Sequence, residues 1–164
     1  NSISKSASAT GWRLGWCIHP PHLCTEYRAI HDQMAVMAPH PVQQAMLTYL
    51  ALPLSFFQEH LATRYLDRLN RLTTTLRQVG FDVVDPEGAY YLWADFRSVS
   101  ALSQMTPTDA AQHLLEHVRV ACVPGDNFYG NADIEASCYL RFAACRSDAD
   151  IDEACHRLLA FSKT

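Results

Sequence analysis

Charge is what this sequence has least of. Of its 164 residues only 18% are Asp, Glu, Lys or Arg, against about 25% in an ordinary globular chain. The 13 Lys and Arg are outnumbered by 17 Asp and Glu. There is no basic excess to displace counterions from a nucleic-acid backbone or to hold an anionic membrane surface, so neither is expected as the main partner. A chain this sparing of charge is expected to cover part of its surface with another domain or subunit. Long apolar runs are missing too. The longest, Met46 to Phe57, is broken by Pro53 and falls far short of the roughly 20 residues that span a bilayer. The six cysteines contain no Cys-x-x-Cys, so reduced thiols in the cytoplasm are the expectation. No charged-then-apolar leader opens the chain, which starts Asn1-Ser2 without Met; an internal start is expected.

What is present is apolar side chain, 49% of residues, which is enough for a sizeable core and too much for disorder. Leu14 to Ile18 reads as a short strand ended by His19-Pro20-Pro21. Pro21 suits the first turn of a helix through Leu23, Tyr27, Ile30 and Met34, and Val42 to Leu52 reads as a second helix. Ser55-Phe56-Phe57-Gln58 has the pattern of a capping box, opening a long helix whose stripe is Leu61, Tyr65, Leu69, Leu72 and Leu76. Gly80 is the expected stop.

Beyond it the texture changes. Phe81 to Val84 and Ala89 to Phe96 read as strands about an Asp85-Pro86-Glu87-Gly88 turn. Thr106 and Asp109 cap a helix carrying Ala110, Leu114 and Val118. Val118 to Val123 reads as a strand leading into a loop from Pro124 to Gly130, and Tyr139 to Ala144 as another strand. Ser147 and Asp150 cap a last helix with Ile151, Cys155 and Leu158. Helices mixed with short strands mean a mixed α/β or α+β fold, with the long helix as a connector between domains.

Chemistry is concentrated near the start. A lysine attacks a carbonyl only as the neutral amine, which requires burial or neighbouring positive charge. Lys5 lies among Ser2, Ser4, Ser6, Ala7, Ser8 and Ala9, small residues that let a bulky ligand approach and offer hydroxyls to an anion. Eight residues on, past Thr10-Gly11, Arg13 can grip a phosphate with two parallel hydrogen bonds. An amine beside Ser and Arg is what a phosphorylated aldehyde needs; a solvated lysine in a flexible Ser-rich segment has the same spacing.

The run Ser2-Ile3-Ser4-Lys5…Thr10-Gly11-Trp12-Arg13-Leu14-Gly15 resembles the lysine signature of class I/II pyridoxal-phosphate (PLP) aminotransferases of fold type I. Three more segments follow in that family's order: Pro86-Glu87-Gly88-Ala89-Tyr90-Tyr91-Leu92-Trp93, Val123-Pro124-Gly125-Asp126-Asn127-Phe128-Tyr129-Gly130, and Tyr139-Leu140-Arg141-Phe142-Ala143. The resemblance implies that Lys5 bonds the cofactor and shuttles the substrate proton. It implies that Ser2, Ser4 and Arg13 hold the cofactor, and that Arg141 clamps the substrate α-carboxylate. The alternative for Arg141 is a structural ion pair; an Arg in so apolar a strand is costly to bury without an anion. Arg146, after the strand, is expected in solvent.

Members of that family carry a long segment before the lysine signature, with the partners of the cofactor ring. Nothing here matches it. The expectation is therefore the C-terminal part of a longer enzyme: residues 1–54 as the end of the large PLP-binding domain, 55–79 as the connecting helix, and 80–164 as the small domain. The whole is expected to be a cytoplasmic homodimer in a biosynthetic process, exchanging the amino group of an amino acid with a 2-oxo acid, and this chain alone is expected to be inactive. Kynurenine, glutamine, methionine and aromatic amino acids stand open as donors. So do two alternatives, a carbon–sulfur β-lyase of the same fold and a non-catalytic fragment that only folds and dimerises. His113-Leu114-Leu115-Glu116-His117 has the spacing of a zinc-peptidase motif, but no third ligand follows and no metal is expected.

Overall fold

The computed structural model describes residues 1–129 and 138–162. Contacts divide the chain into two compact units, Asn1–His60 and Leu61–Thr164.

The first unit is helical. A single turn, α1 (Ile3–Ser6), is capped by Ser2. The backbone on either side of the Lys5 turn is drawn together: the Ile3 N–H donates to the Leu14 carbonyl at 3.3 Å and the Trp16 N–H to that of Asn1 at 2.8 Å. An isolated bridge joins Ser2 to Gly15. The strand expected over Leu14 to Ile18 thus shrinks to one bridge, because no further strand of this unit continues the ladder and Ile18 is 90% exposed. α2 (Cys24–Met34) follows a 3-10 turn at Pro21–Leu23, and α3 (His40–Leu50) carries Pro41 in its first turn. Neither helix buries a residue. The core of this unit is small: Ile3, Ala9 and Leu14, with Ala38, Val42, Met46 and Tyr49 packed partly against them. The capping box expected at Ser55 is absent. Leu54 and Ser55 are already helical, because hydrogen bonding starts a turn earlier, where the Phe56 N–H reaches the Pro53 carbonyl at 2.9 Å.

The second unit packs helices on one face of an antiparallel sheet. Its elements are α4 (Ala62–Val79), β1 (Asp82–Val83), β2 (Tyr91–Asp95), α5 (Pro107–His113), β3 (Val123–Pro124), β4 (Tyr139–Ala143) and α6 (Asp148–Phe161). The sheet order is β1-β2-β4-β3. Gly80 ends α4 as expected: its φ of +107° suits a residue without Cβ. The Gly80 N–H then donates to Arg77 and the Phe81 N–H to the Leu76 carbonyl, the Schellman pattern. The caps at Thr106 and Ser147 form as read, the latter with its reciprocal Asp150. The strand expected over Val118 to Val123 does not form. Helical bonding runs on as a π-turn over Leu114–Val118, Arg119 takes φ +61° and Val120 donates back to the Leu114 carbonyl, so sheet pairing begins only at Val123.

Alternation decides what faces the helices. Leu92, Ala94, Leu140 and Phe142 are buried in one cluster with Leu69, Leu72 and Leu76 of α4, Leu114, and Ile151 and Leu158 of α6. Leu61 and Tyr65, the first two members of the α4 stripe, are only half-buried. Outside this core α4 and α6 are tied by charge. Arg68 makes a two-pronged bond to Asp148 at 2.8 and 3.2 Å, and Arg71 reaches Asp67, Asp148 and Asp152.

Hydrogen bonds from Arg68 and then Arg71 hold the Asp148 carboxyl down at about 2. A carboxylate depressed in the folded state adds stability above its ordinary pKa and loses it as pH falls toward the depressed value. Denaturant titrations between pH 4 and pH 2 will therefore show a steeper loss of stability in the native chain than in Asp148→Asn.

Candidate functional site

In the first unit the lysine turn is built by short hydrogen bonds. The Ser2 hydroxyl accepts from the Ser4 N–H at 3.4 Å, so its own O–H stays available to an anion. The Thr10 hydroxyl donates to the Ser4 carbonyl at 2.8 Å, and the Arg13 Nη1 to the Thr10 carbonyl at 3.0 Å. Arg13 is thereby drawn back toward the Lys5 turn from an αL backbone (φ +53°). Thr10, read from sequence only as part of a turn, proves to be the link. Ser2 and Ser4 are half-buried, while Lys5 and Arg13 are exposed.

Gly15 sits where the two backbones meet. A Cβ there would lie 2.7 Å from the Asn1 carbonyl oxygen, nearer than such atoms approach, and a tight 3.2 Å from the Ser2 Cβ. The approach that positions Ser2 thus depends on a residue without a side chain.

In the second unit the site lies on the sheet face turned away from the helices. The register sets Trp93 opposite Arg141 and Val123 on its other side. The period of two puts Tyr91, Trp93, Tyr139 and Arg141 on that face, all half-buried. The structural ion pair allowed for Arg141 is absent: among the described residues no carboxylate bonds to it, and its Nε is buried without a partner. The acid of β2, Asp95, is taken by Arg97. Burial opposes ionisation of Asp95, and the Arg97 side chain and backbone N–H outweigh it, holding its pKa below the usual range. Rings stand in for an anion at Arg141. Its guanidinium carbon lies 4.5 Å from the Phe128 centroid and 5.2 Å from that of Tyr91, contacts worth about 0.5–2 kcal/mol each depending on desolvation. Trp93 continues the aromatic face, edge-on to Phe128 at 5.3 Å and to Tyr139 at 6.3 Å. Gly130, the end of the Val123 motif, lies outside the described residues, and Arg146 is exposed.

The remaining reactive groups are elsewhere. All six cysteines are free. Burial pushes the Cys122 thiol up to about 12, whereas Cys17, in the run where the strand does not form, is exposed. The rings of His113 and His117 meet at 4.6 Å. Among the described residues no three His, Cys, Asp or Glu cluster as metal ligands would.

Residues 1–158 match the family model described as aminotransferase class I and II. The chain belongs to that family. Among its relatives is a kynurenine–oxoglutarate transaminase from Dictyostelium discoideum, 28% identical over 99% of this chain and 41% of the relative. The solved N-succinyldiaminopimelate aminotransferase of Mycobacterium tuberculosis superposes with a TM-score of 0.85 at 31% identity, over 97% of this chain and 40% of that one. An aromatic aminotransferase from Pyrococcus horikoshii does so at 0.83 and 25% identity, over 99% and 42%. The fold is therefore that of the fold type I aminotransferases, as the motifs implied, and the chain spans about two fifths of these relatives' length.

Enzymes of this family depend on PLP, and the donor set of the aminotransferase lysine turn fits that group. It offers one primary amine for the aldehyde, two serine hydroxyls and a guanidinium for the phosphate, on backbone drawn together by the Gly15 approach. Gly15→Ala is expected to force the two segments apart and cost the first unit about 1–3 kcal/mol, read by chemical denaturation, and to weaken PLP retention in the same samples.

Proposed function

We propose that this chain is the C-terminal part of a PLP-dependent aminotransferase that moves an amino group between an amino acid and a 2-oxo acid. The observation that carries the reading is Arg141: a half-buried cation on an aromatic sheet face, with no carboxylate bonded to it among the described residues. A planar guanidinium left so is matched by the substrate α-carboxylate, which it can hold by two parallel hydrogen bonds. Lys5 supplies the amine that bonds the cofactor and then, once displaced, takes the proton from the substrate α-carbon and returns it during exchange. Ser2 and Arg13 hold the cofactor phosphate, with Ser4 assisting. When bound, PLP supplies the electron sink for the pair left as the α-proton departs.

Exposed apolar surface supports the view that further protein completes the enzyme. Ile30 and Met34 of α2 and Leu47 and Leu50 of α3 are more than half exposed, more than a unit meant to stand in water would show. The exposure of Lys5 has the same implication, since a competent amine needs a desolvated site. We place the whole enzyme in the cytoplasm as a homodimer; its six free thiols suit a reducing compartment. The aromatic residues Tyr91, Trp93 and Phe128 favour a donor with a large side chain, in keeping with a relative named for kynurenine.

Covalent labelling tests the assignment without turnover. The chain has only two lysines, Lys5 and Lys163, so borohydride reduction of the PLP-loaded enzyme and peptide mass mapping will locate the bond. The label is expected on Lys5 and its visible absorption band is expected to vanish in Lys5→Ala; a band that survives overturns the role. The 164-residue chain by itself is expected to form no keto acid from any amino acid in a panel.

A further inference from the structure

We propose that Phe128 and Tyr91 are positioning residues: their rings fix the Arg141 guanidinium so that only its hydrogen-bonding edge is offered to a carboxylate. The inference rests on the proposed role of Arg141 and extends it.

An arginine that must bind a carboxylate bidentately has two needs that conflict. It must not be neutralised by a protein acid, or the substrate would have to displace that acid. It must also be held still, because each free torsion of its side chain is entropy lost on binding. The usual way to hold an arginine is an ion pair, which fails the first need. Aromatic rings satisfy both. Their faces attract the cation and restrain its plane while leaving every N–H unspent.

The observations fit this division of labour. Arg141 has rings at 4.5 and 5.2 Å, no ion pair among the described residues, and an Nε buried without an acceptor among them. Asp95, on the strand beside it, is already committed to Arg97. The rings come from separate places: Tyr91 from β2, whose pairing with β4 sets its level, and Phe128 from the end of the 3-10 turn Gly125–Phe128. Phe128 is in turn packed edge-on by Trp93 at 5.3 Å and an interplanar angle of 90°. Phe128 is not part of the hydrophobic core and nearly half of it is exposed; the contacts that place it are those with Arg141 and Trp93.

Two readouts test the proposal. One is the NMR rate of rotation about the Arg141 Nε–Cζ bond in the PLP-loaded enzyme. The other is steady-state kinetics of the PLP-loaded enzyme with an amino-acid donor. Phe128→Leu keeps the bulk and removes the π face. It is expected to speed the rotation and to raise KM by about fivefold or more, with a smaller change in kcat. Phe128→Tyr, which keeps the face, is expected to restore both readouts. Tyr91→Phe is expected to behave as native, and Tyr91→Leu like Phe128→Leu. If Phe128→Leu leaves rotation and KM unchanged, or if Phe128→Tyr fails as badly as Leu, positioning by the ring is overturned. Arg141→Gln separates the two layers. Should it leave KM unaltered, the carboxylate role itself falls; should it raise KM while Phe128→Leu does not, only the positioning role falls.

Discussion

The five-residue antiparallel pairing of β2 with β4 is the constraint on which the second unit turns. Its register fixes which side chains point to the helices and which point away, and one residue of slip would exchange the two sets. With Trp93 opposite Arg141, Leu92, Ala94, Leu140 and Phe142 enter the core beneath α4 and α6. Tyr91, Trp93, Tyr139 and Arg141 are left on the open face. The core and the candidate carboxylate site are two sides of the same ladder. Buried leucines therefore hold the register that keeps Arg141 among aromatic rings, where on its own it would be an expensive residue to place.

The two units contrast in how they treat apolar surface. In the second, the α4 stripe disappears into a continuous cluster. In the first, α2 and α3 carry stripes of the same kind and bury none of their residues. Local order there comes from backbone contacts around Ser2 and Gly15 and from the Thr10 and Arg13 hydrogen bonds. That is enough to shape a lysine turn and too little to desolvate it. The low charge content is in keeping with this contrast, since a surface covered by further protein, as proposed, would need few charged residues to stay in solution.

Helix ends and strand alternation were legible along the chain because their causes are local. Gly80 stops α4 through a positive φ, Thr106 and Ser147 cap through their own hydroxyls, and the alternation from Tyr91 to Ala94 matches its burial. The misreadings share a cause as well. Leu14 to Ile18 and Val118 to Val123 are apolar runs with strand composition, but a strand needs a partner. The first finds a single bridge, and the second is claimed by a helix end closing on Arg119. Ser55 carries a capping pattern, yet hydrogen bonding from the Pro53 carbonyl starts the helix before it.

The sequence by itself supplied the candidate residues, a lysine among small hydroxyl residues, an arginine eight positions later and another inside an apolar strand, and the resemblance of four ordered motifs pointed to the family and its chemistry. Those are properties of residue type and spacing, and they survive any packing. Tertiary structure alone decided what surrounds them. It drew Arg13 back through Thr10, made Gly15 the point of closest approach, left Lys5 exposed, and set Phe128 and Tyr91 against Arg141 with no ion pair among the described residues. The hydrogen bonds through Thr10 are local but depend on a backbone fold that residue type does not announce; the Gly15 approach and the rings at Arg141 join residues 13 or more positions apart.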